Sequence, residues 1–180
     1  DEWFTPGSDP VILAVGRLSP QKDYPTLLEA FAELRGKRPA RLLILGDGPL
    51  RPEIESQVSG LGIEADVRLP GFVANPFAYM RRCTVYAMSS RWEGLPTVLI
   101  EALASGARIV STDCPSGPQE ILDGGRFGRL VPVGDAAALS RALGDALDDD
   151  TPLPGPEAWS PYELETIVEQ YRRVLLGDRA

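Results

Sequence analysis

Residues 11–17 have the sequence VILAVGR, in which five apolar residues are followed at once by a glycine and an arginine. Five consecutive apolar residues predict a strand buried on both faces, because a half-exposed strand would alternate apolar and polar residues. Arg41–Leu45 (RLLIL) repeats this pattern and ends at a similar turn, Gly46-Asp47-Gly48. Together the two runs predict a parallel sheet that helices cover on both sides.

The alternation of apolar runs and amphipathic stretches continues to about residue 148. Further strands are predicted at 67–69, 84–88, 108–112 and 128–131, and helices at 24–35, 50–60, 77–82, 96–105, 118–122 and 135–148. Strands that alternate with helices are typical of the α/β class, so residues 1–150 are predicted to form one doubly wound, parallel, six-stranded Rossmann-like sheet. Residues 151–180 are predicted to hold a Pro-rich loop and a last amphipathic helix, Pro161 to Leu176.

The composition limits the classes of function. The 180 residues include 18 basic and 26 acidic side chains and no histidine, which gives a net charge of −8. This charge argues against nucleic acid and anionic membranes as partners, and the missing histidine argues against Ser-His-Asp catalysis and most zinc sites. Cys83 and Cys114 lie far apart, as expected of reduced thiols in a cytoplasmic protein. No apolar run approaches the ~18 residues of a transmembrane helix.

Glycine and polar residues concentrate at the carboxyl ends of the predicted strands, where open α/β sheets bind ligands. After the first strand, Gly16 and Arg17 are followed by Lys22 at the start of a helix. Two cations beside a helix N-terminus suit a diphosphate, because the arginine fork matches phosphate oxygens and glycine permits close approach. The alternative is two solvated charges on an ordinary surface loop.

Two carboxylates, Glu93 and Glu101, stand with seven residues between them in the segment EGLPTVLIE. Pro96 suits the first helical position, which leaves the amides of Gly94 to Thr97 free to bind an anion. Glu101 is the only charge from Leu95 to Ala107, so it needs a hydrogen-bonding partner. The pair suits the sugar and ribose ends of a nucleotide-sugar. The alternatives are an arginine partner for Glu101 and a solvated position for Glu93.

Two further motifs are weaker. The turn at Gly46-Asp47-Gly48 begins like the dinucleotide-binding GxGxxG, but Arg51 replaces the third glycine, so an ordinary strand-to-helix turn is predicted. Asp148-Asp149-Asp150 follows a helix and precedes a Pro-rich loop. We interpret this triplet as a solvated acidic run rather than a metal site.

In this order, the motifs resemble the nucleotide-sugar-binding half of GT-B glycosyltransferases of family 4 (glycosyl transferases group 1). The resemblance covers about Val11 to Asp148. It rests on Gly-Arg-Leu with a lysine five residues after the arginine, Leu-Gly-Asp-Gly-Pro at 45–49, Gly71-Phe72-Val73, Glu-x7-Glu, Ser-Gly-Pro-Gln-Glu-Ile at 116–121 and Gly128 to Pro132. It implies the C-terminal half of a GT-B fold, in a segment cut from a longer protein whose N-terminal acceptor domain is absent from this chain. The last helix would cross toward that domain, and without it would fold back or pack on a neighbouring molecule.

The resemblance implies transfer of a hexose from a nucleoside diphosphate sugar, UDP favoured, with retention of configuration and with no metal or other cofactor. Arg17 and Lys22 would neutralise the diphosphate and the charge that develops on the leaving group. Glu101 would accept hydrogen bonds from the ribose hydroxyls. Glu93 would hold a sugar hydroxyl or act as a nucleophile.

The remaining implied contacts are made by the backbone. Amides of the segment Gly94-Leu95-Pro96-Thr97 would bind the distal phosphate and sugar, and the backbone at Phe72 and Val73 would bind the edge of the base. The segment Cys114 to Pro118 is similar to bacterial members that build polysaccharides or lipid-linked glycans. The acceptor would therefore be a glycan or a lipid-linked glycan, reached through the missing domain of a cytoplasmic protein that is peripheral at the inner membrane face.

Other interpretations stay open. One is a non-catalytic nucleotide-sugar-binding subunit that works with a separate acceptor-binding polypeptide. Another is an unrelated α/β nucleotide-binding or phosphoprotein-sensing module. We expect no nucleic-acid partner and no direct membrane contact from this half, and we expect the isolated chain to turn over a donor hardly at all.

Overall fold

The computed structural model describes residues 2–176, and Asp1 and residues 177–180 lie outside it. One sheet contains the strands β1 (Val11–Val15), β2 (Arg41–Leu45), β3 (Val67–Gly71), β4 (Val85–Met88), β5 (Arg108–Thr112) and β6 (Arg129–Val131). All neighbours are parallel, in the order β3-β2-β1-β4-β5-β6, which confirms the predicted doubly wound sheet. The order reverses between β1 and β4, so the ligand crevice of such a sheet lies beyond the carboxyl ends of these two strands.

Helices cover both faces of the sheet. They are α1 (Tyr24–Arg35), α2 (Arg51–Gly60), α3 (Phe77–Met80), α4 (Thr97–Ala104), α5 (Pro118–Ile121), α6 (Ala136–Leu147) and α7 (Leu164–Leu176). In β1, Ile12 and Ala14 belong to the apolar cluster with α1, α2 and α6, whereas Val11 and Leu13 belong to the cluster with α3, α4 and α5. Each fully buried Leu or Ile contributes about 1.5–3 kcal/mol. The unbroken apolar run is thus explained by burial on two sides.

The amino edge of the sheet carries paired arginines. Arg41 lies 3.5 Å from Asp9, Arg68 binds Glu2, and both guanidinium groups lie over the ring of the buried Trp3. Cation–π contacts and ion pairs of this kind hold the segment before β1 against the starts of β2 and β3.

The acidic triplet is not a solvated run throughout. Asp149 lies 2.9 Å from Arg129 and 3.5 Å from Arg108, the residues that begin β6 and β5. Hydrogen bonds from Thr151, together with the charges of these arginines, lower the pKa of Asp149 to about 2. The prediction was therefore wrong for Asp149, because two arginines at the amino edge need an acidic partner and the Pro-rich loop supplies it.

The last helix begins later than predicted, at Leu164, because residues 160–162 form a separate helical turn and Glu163 is extended. No residue of α7 is buried. Its apolar side chains, including Val168 and Tyr171, face outward, so this helix does not fold back on the sheet. Among the described residues, no helix is long and apolar enough to span a membrane.

Candidate functional site

The loops that follow β1 and β2 pack backbone against backbone at the carboxyl edge. Gly46 has a φ of +136°, and a Cβ there would lie 2.1 Å from the carbonyl oxygen of Gly16. A Cβ on Gly48 would lie 2.4 Å from the carbonyl oxygen of Leu18. Both glycines of this turn are therefore explained by loop packing, which agrees with the interpretation as a strand-to-helix turn.

A groove of about 380 Å³ opens beyond β1, β2 and β3. Its lining includes four of the predicted site residues, Gly16, Arg17, Phe72 and Val73. Arg17 is exposed, and its guanidinium group makes no hydrogen bond or ion pair with another described residue. No described residue hydrogen-bonds to the backbone of Phe72 or Val73. One cation and two sets of backbone groups are thus available to a ligand in this groove.

Asp47 supplies a carboxylate to the same groove. The side chain of Arg51 donates to it at 3.1 Å and the N–H of Gly48 at 2.7 Å. These hydrogen bonds hold the pKa of Asp47 below its usual value. The carboxylate is therefore ionised and fixed at neutral pH.

Lys22 and Glu93 form an ion pair beside the groove. Nζ of Lys22 lies 2.6 Å from Oε1 of Glu93, and the two side chains are only 16% and 7% exposed. Ser90 Oγ donates to the same oxygen at 2.6 Å, and Gln21 Nε2 donates to Oε2 at 3.1 Å. The solvated alternative for Glu93 is therefore wrong. The sequence did not foresee this pair, because its members are 71 residues apart.

Polar residues at the ends of β4 and β5 hold the loops that carry the pair. Ser89 Oγ donates to the carbonyl of Lys22 at 2.7 Å, and Thr112 Oγ1 donates to the carbonyl of Ser90 at 2.6 Å. The hydroxyl of Tyr24 donates to Gly16 O at 3.2 Å. Burial, with a smaller contribution from the charge of Glu93, raises the pKa of Tyr24, so the phenol stays a donor.

The segment before α4 has two free backbone amides. The N–H groups of Gly94 and Leu95 donate to no described residue, whereas the N–H of Thr97 donates to Leu95 O at 2.9 Å. The prediction of free amides is therefore wrong for Thr97. Pro96 has a ψ of 83° and precedes the helix rather than opening it, and this bend brings the Thr97 N–H onto the Leu95 carbonyl.

The loop after β5 packs against this segment. The N–H of Glu93 donates to Pro115 O at 3.3 Å, and a Cβ on Gly117 (φ +97°) would lie 2.3 Å from Cδ of Pro96. Residues 113–117, 119 and 120 line a second cavity of about 450 Å³. The Ser116-Gly117-Pro118 motif thus lies beside the segment that carries the free amides of Gly94 and Leu95. The sequence did not predict that these two segments meet.

Glu101 lies in α4 and is half-buried. No described residue hydrogen-bonds to its carboxylate or pairs with it, so the arginine partner considered above is not among the described residues. Burial raises the pKa of Tyr86, and the charge of Glu101 adds to this effect. The Tyr86 hydroxyl donates to Val15 O at 3.5 Å, and Val15 lines the groove.

The sequence placed Ser90 among the polar residues at the strand ends where the site was expected, but without a partner, and it gave Gln21 no role. Ser90 had a signal, because a Ser-Ser pair ends an apolar strand. Gln21 had none. Its Nε2 also donates to the carbonyl of Trp92 at 2.9 Å, and the indole of Trp92 itself is exposed.

The six-stranded parallel sheet, with a groove beyond the carboxyl ends of β1, β2 and β3, defines a Rossmann-like α/β domain of the GT-B type. Residues 9–149 match the family described as Glycosyl transferases group 1, and the chain belongs to this family. The expected family and fold are thereby confirmed.

Curated relatives agree with this assignment. The chain is 39% identical over 142 residues to a Campylobacter jejuni N-acetylgalactosaminyltransferase that acts on a diphospho-undecaprenol-linked sugar, covering 79% of the chain and 38% of that protein. It is 34% identical over 174 residues to the lipopolysaccharide core biosynthesis glycosyltransferase LpsE of Rhizobium meliloti, covering 97% and 49%. The chain therefore spans less than half the length of each of these relatives.

Solved structures show the same fold. The lipopolysaccharide outer core galactosyltransferase WaaB aligns with a TM-score of 0.84 at 24% identity, over 95% of this chain and 50% of that one. HepE of Anabaena, solved in complex with UDP, also aligns at 0.84 with 24% identity, over 93% and 49%.

Proposed function

We propose that the chain is the donor-binding half of a retaining, metal-independent glycosyltransferase that moves a hexose from a UDP-sugar to a glycan or lipid-linked acceptor. The observation that carries the proposal is the open groove, which the unpaired Arg17 lines, together with the Lys22–Glu93 pair, whose lysine side chain packs against Gly16 of the groove wall. The names of the relatives and the UDP bound to HepE support the choice of donor and acceptor class.

Arg17 and Lys22 bind the diphosphate of the donor in this proposal. Arg17 supplies an unpaired positive charge, and Lys22, whose charge Glu93 balances, supplies N–H donors, so we expect the diphosphate to bind without a metal ion. As the bond to the sugar breaks, negative charge develops on the leaving phosphate, and both cations stabilise it. The free N–H groups of Gly94 and Leu95 add donors for the distal phosphate and the sugar.

Glu93 binds a sugar hydroxyl rather than attacking the anomeric carbon. A nucleophilic carboxylate needs an oxygen with free lone pairs pointing at the substrate. Oε1 of Glu93 already accepts two hydrogen bonds of 2.6 Å, from Lys22 and Ser90, and Oε2 accepts one from Gln21, so three hydrogen bonds weaken the carboxylate as a nucleophile. This favours a carboxylate that orients the sugar.

The nucleoside occupies the groove. The free backbone groups of Phe72 and Val73 bind the edge of the base. Glu101 accepts hydrogen bonds from the ribose hydroxyls. An unpaired, half-buried carboxylate is costly in free energy, and two hydroxyl donors from the ligand offset that cost.

The acceptor binds through a further domain, in keeping with the larger size of the relatives. The groove here is open on one side, so the isolated chain holds a donor without excluding water or orienting an acceptor. We therefore expect little transfer by this chain alone. In this proposal the sugar transfer takes place in the cytoplasm, and the whole protein is peripheral at the inner membrane face.

Calorimetry with UDP, GDP, ADP and uridine, in the presence of EDTA, tests the donor assignment. UDP should bind best, uridine should bind much more weakly, and EDTA should change neither affinity. Equal binding of UDP and uridine, or UDP binding that disappears in EDTA, would contradict the proposal.

Transfer is tested with labelled UDP-sugars and glycan acceptors, using the chain and a longer form that contains the preceding domain. The longer form should transfer the sugar, and NMR of the product should show the anomeric configuration of the donor. Binding without transfer by the longer form would favour the non-catalytic subunit.

A further inference from the structure

We infer that Gln21 is a positioning residue for Glu93 and that it controls how the site binds the sugar part of the donor. The inference rests on the proposed function and deepens it. Gln21 belongs to the one-turn helix Pro20–Lys22, on the loop between β1 and α1.

The side-chain amide of Gln21 clamps two adjacent residues, because it hydrogen-bonds both to the carbonyl of Trp92 and to the carboxylate of Glu93. Nε2 donates to the carbonyl of Trp92 at 2.9 Å and to Oε2 of Glu93 at 3.1 Å. A primary amide nitrogen has two N–H donors, so both bonds form at once. The clamp fixes the carboxylate of Glu93 relative to the backbone just before it.

The main chain holds the clamp in register. The N–H of Arg91 donates to the carbonyl of Gln21 at 2.8 Å, so the loop of Gln21 is joined to the 91–93 loop by backbone as well as side chain. The backbone bond survives any substitution at position 21. Changing the side chain therefore removes the hold on Glu93 while keeping the loops together.

The hydrogen bonds leave one defined acceptor on Glu93. Each carboxylate oxygen has two lone-pair sites. Lys22 and Ser90 occupy both sites of Oε1, whereas Gln21 occupies one site of Oε2. Oε2 therefore offers a single remaining site, and Gln21 sets its direction. A sugar hydroxyl is the group in the donor that such a site accepts.

The test separates sugar binding from diphosphate binding. Calorimetry compares UDP with UDP-glucose, UDP-galactose and their two N-acetyl counterparts, and the ratio of the UDP Kd to the best UDP-sugar Kd measures the sugar contribution. In Gln21→Met this ratio should fall about tenfold, as expected for one hydrogen bond to a charged group, while the Kd for UDP changes less than twofold.

Two further variants exclude a merely structural role. In a chain that already carries Glu93→Gln, adding Gln21→Met should lower the ratio by less than twofold, because Gln21 acts through Glu93. Gln57 donates from the same amide nitrogen to the carbonyl of Pro25 and lies on α2, so Gln57→Met is the matched control and should change nothing.

Three results would overturn the inference. One is an equal loss of UDP and UDP-sugar affinity in Gln21→Met, another is a full tenfold loss in the Glu93→Gln chain, and the third is a sugar contribution absent from the unsubstituted chain although UDP binds. Failure of UDP and all four UDP-sugars to bind the unsubstituted chain would overturn the proposed function, and the role of Gln21 with it.

Discussion

The charged side chains at the two edges of the sheet differ in whether they have ion-pair partners. At the amino edge, the arginines near the starts of β2, β3, β5 and β6 each have an acidic partner. At the carboxyl edge, Lys22 pairs with Glu93, Arg51 with Asp47 and Arg91 with Asp23, but Arg17 and Glu101 have no partner among the described residues. Charges at the amino edge thus serve the fold, whereas unpaired charges at the carboxyl edge await a ligand. The Lys22–Glu93 pair stabilises the fold and is also part of the proposed ligand site.

Lys22→Ala should have the largest effect, because it damages both the fold and the site. It leaves a carboxylate that is 7% exposed without its cation, which costs about 3 kcal/mol in the free energy of unfolding. UDP affinity should fall about ten- to a hundredfold. Denaturant titration and calorimetry measure the two losses.

The matched control is Lys37→Ala, which removes an exposed pair with Glu33 at the same Nζ–Oε1 distance of 2.6 Å. It should cost less than about 1 kcal/mol and leave UDP binding unchanged. A Lys22→Ala chain as stable as the control would show that Lys22 resembles an ordinary surface charge.

Arg17→Ala should lower the affinity for UDP without changing the stability of the chain. UDP affinity should fall about tenfold or more, because a charge-assisted hydrogen bond to phosphate is lost. Uridine affinity and the melting temperature should stay the same, since Arg17 has no partner to lose. The exposed Arg81 provides the control substitution. Equal losses for UDP and uridine would place Arg17 outside the diphosphate site.

Substitutions of Glu101 should have smaller effects. Removing its charge should raise the stability of the chain but lower its affinity for the ligand. Glu101→Leu should stabilise the free chain by about 1 kcal/mol, because it replaces an unpaired, half-buried charge by an apolar group. Glu101→Gln should keep the fold and lower the affinity for uridine and UDP alike. Destabilisation by Glu101→Leu with unchanged UDP binding would show that the carboxylate has a structural role.

Asp149→Asn should have the smallest effect, and only on stability. The folded pKa of about 2 lies below the ~3.9 of an unfolded chain, so ionised Asp149 stabilises the fold above about pH 4. That contribution is lost as the pH falls through about 2. The difference in melting temperature from the unsubstituted chain should therefore shrink across this range. UDP binding should not change, and the exposed Asp150 offers a control. A difference that is constant with pH would contradict the assignment.

These contrasts also show what the sequence could predict. Runs such as Val11–Val15 specify buried strands by themselves, so the six strands and the edge that holds the site followed from local pattern. The Lys22–Glu93 pair and the role of Gln21 depend on which loops meet across the switch point, and no local pattern encodes that. Asp149 was misinterpreted for the same reason, since its arginine partners lie 20 and 41 residues away in the sequence.

The exposed indole of Trp92 provides an intrinsic fluorescence signal for ligand binding. Trp92 precedes Glu93, and its carbonyl is tied to Gln21, while Trp3 is buried at the opposite edge beneath two arginines. Fluorescence from Trp92 should change as a donor binds beside Glu93, whereas emission from Trp3 and from Trp159, which packs against the core, should stay constant. A Trp92→Phe chain would lose the signal, so donor binding becomes measurable without any added dye.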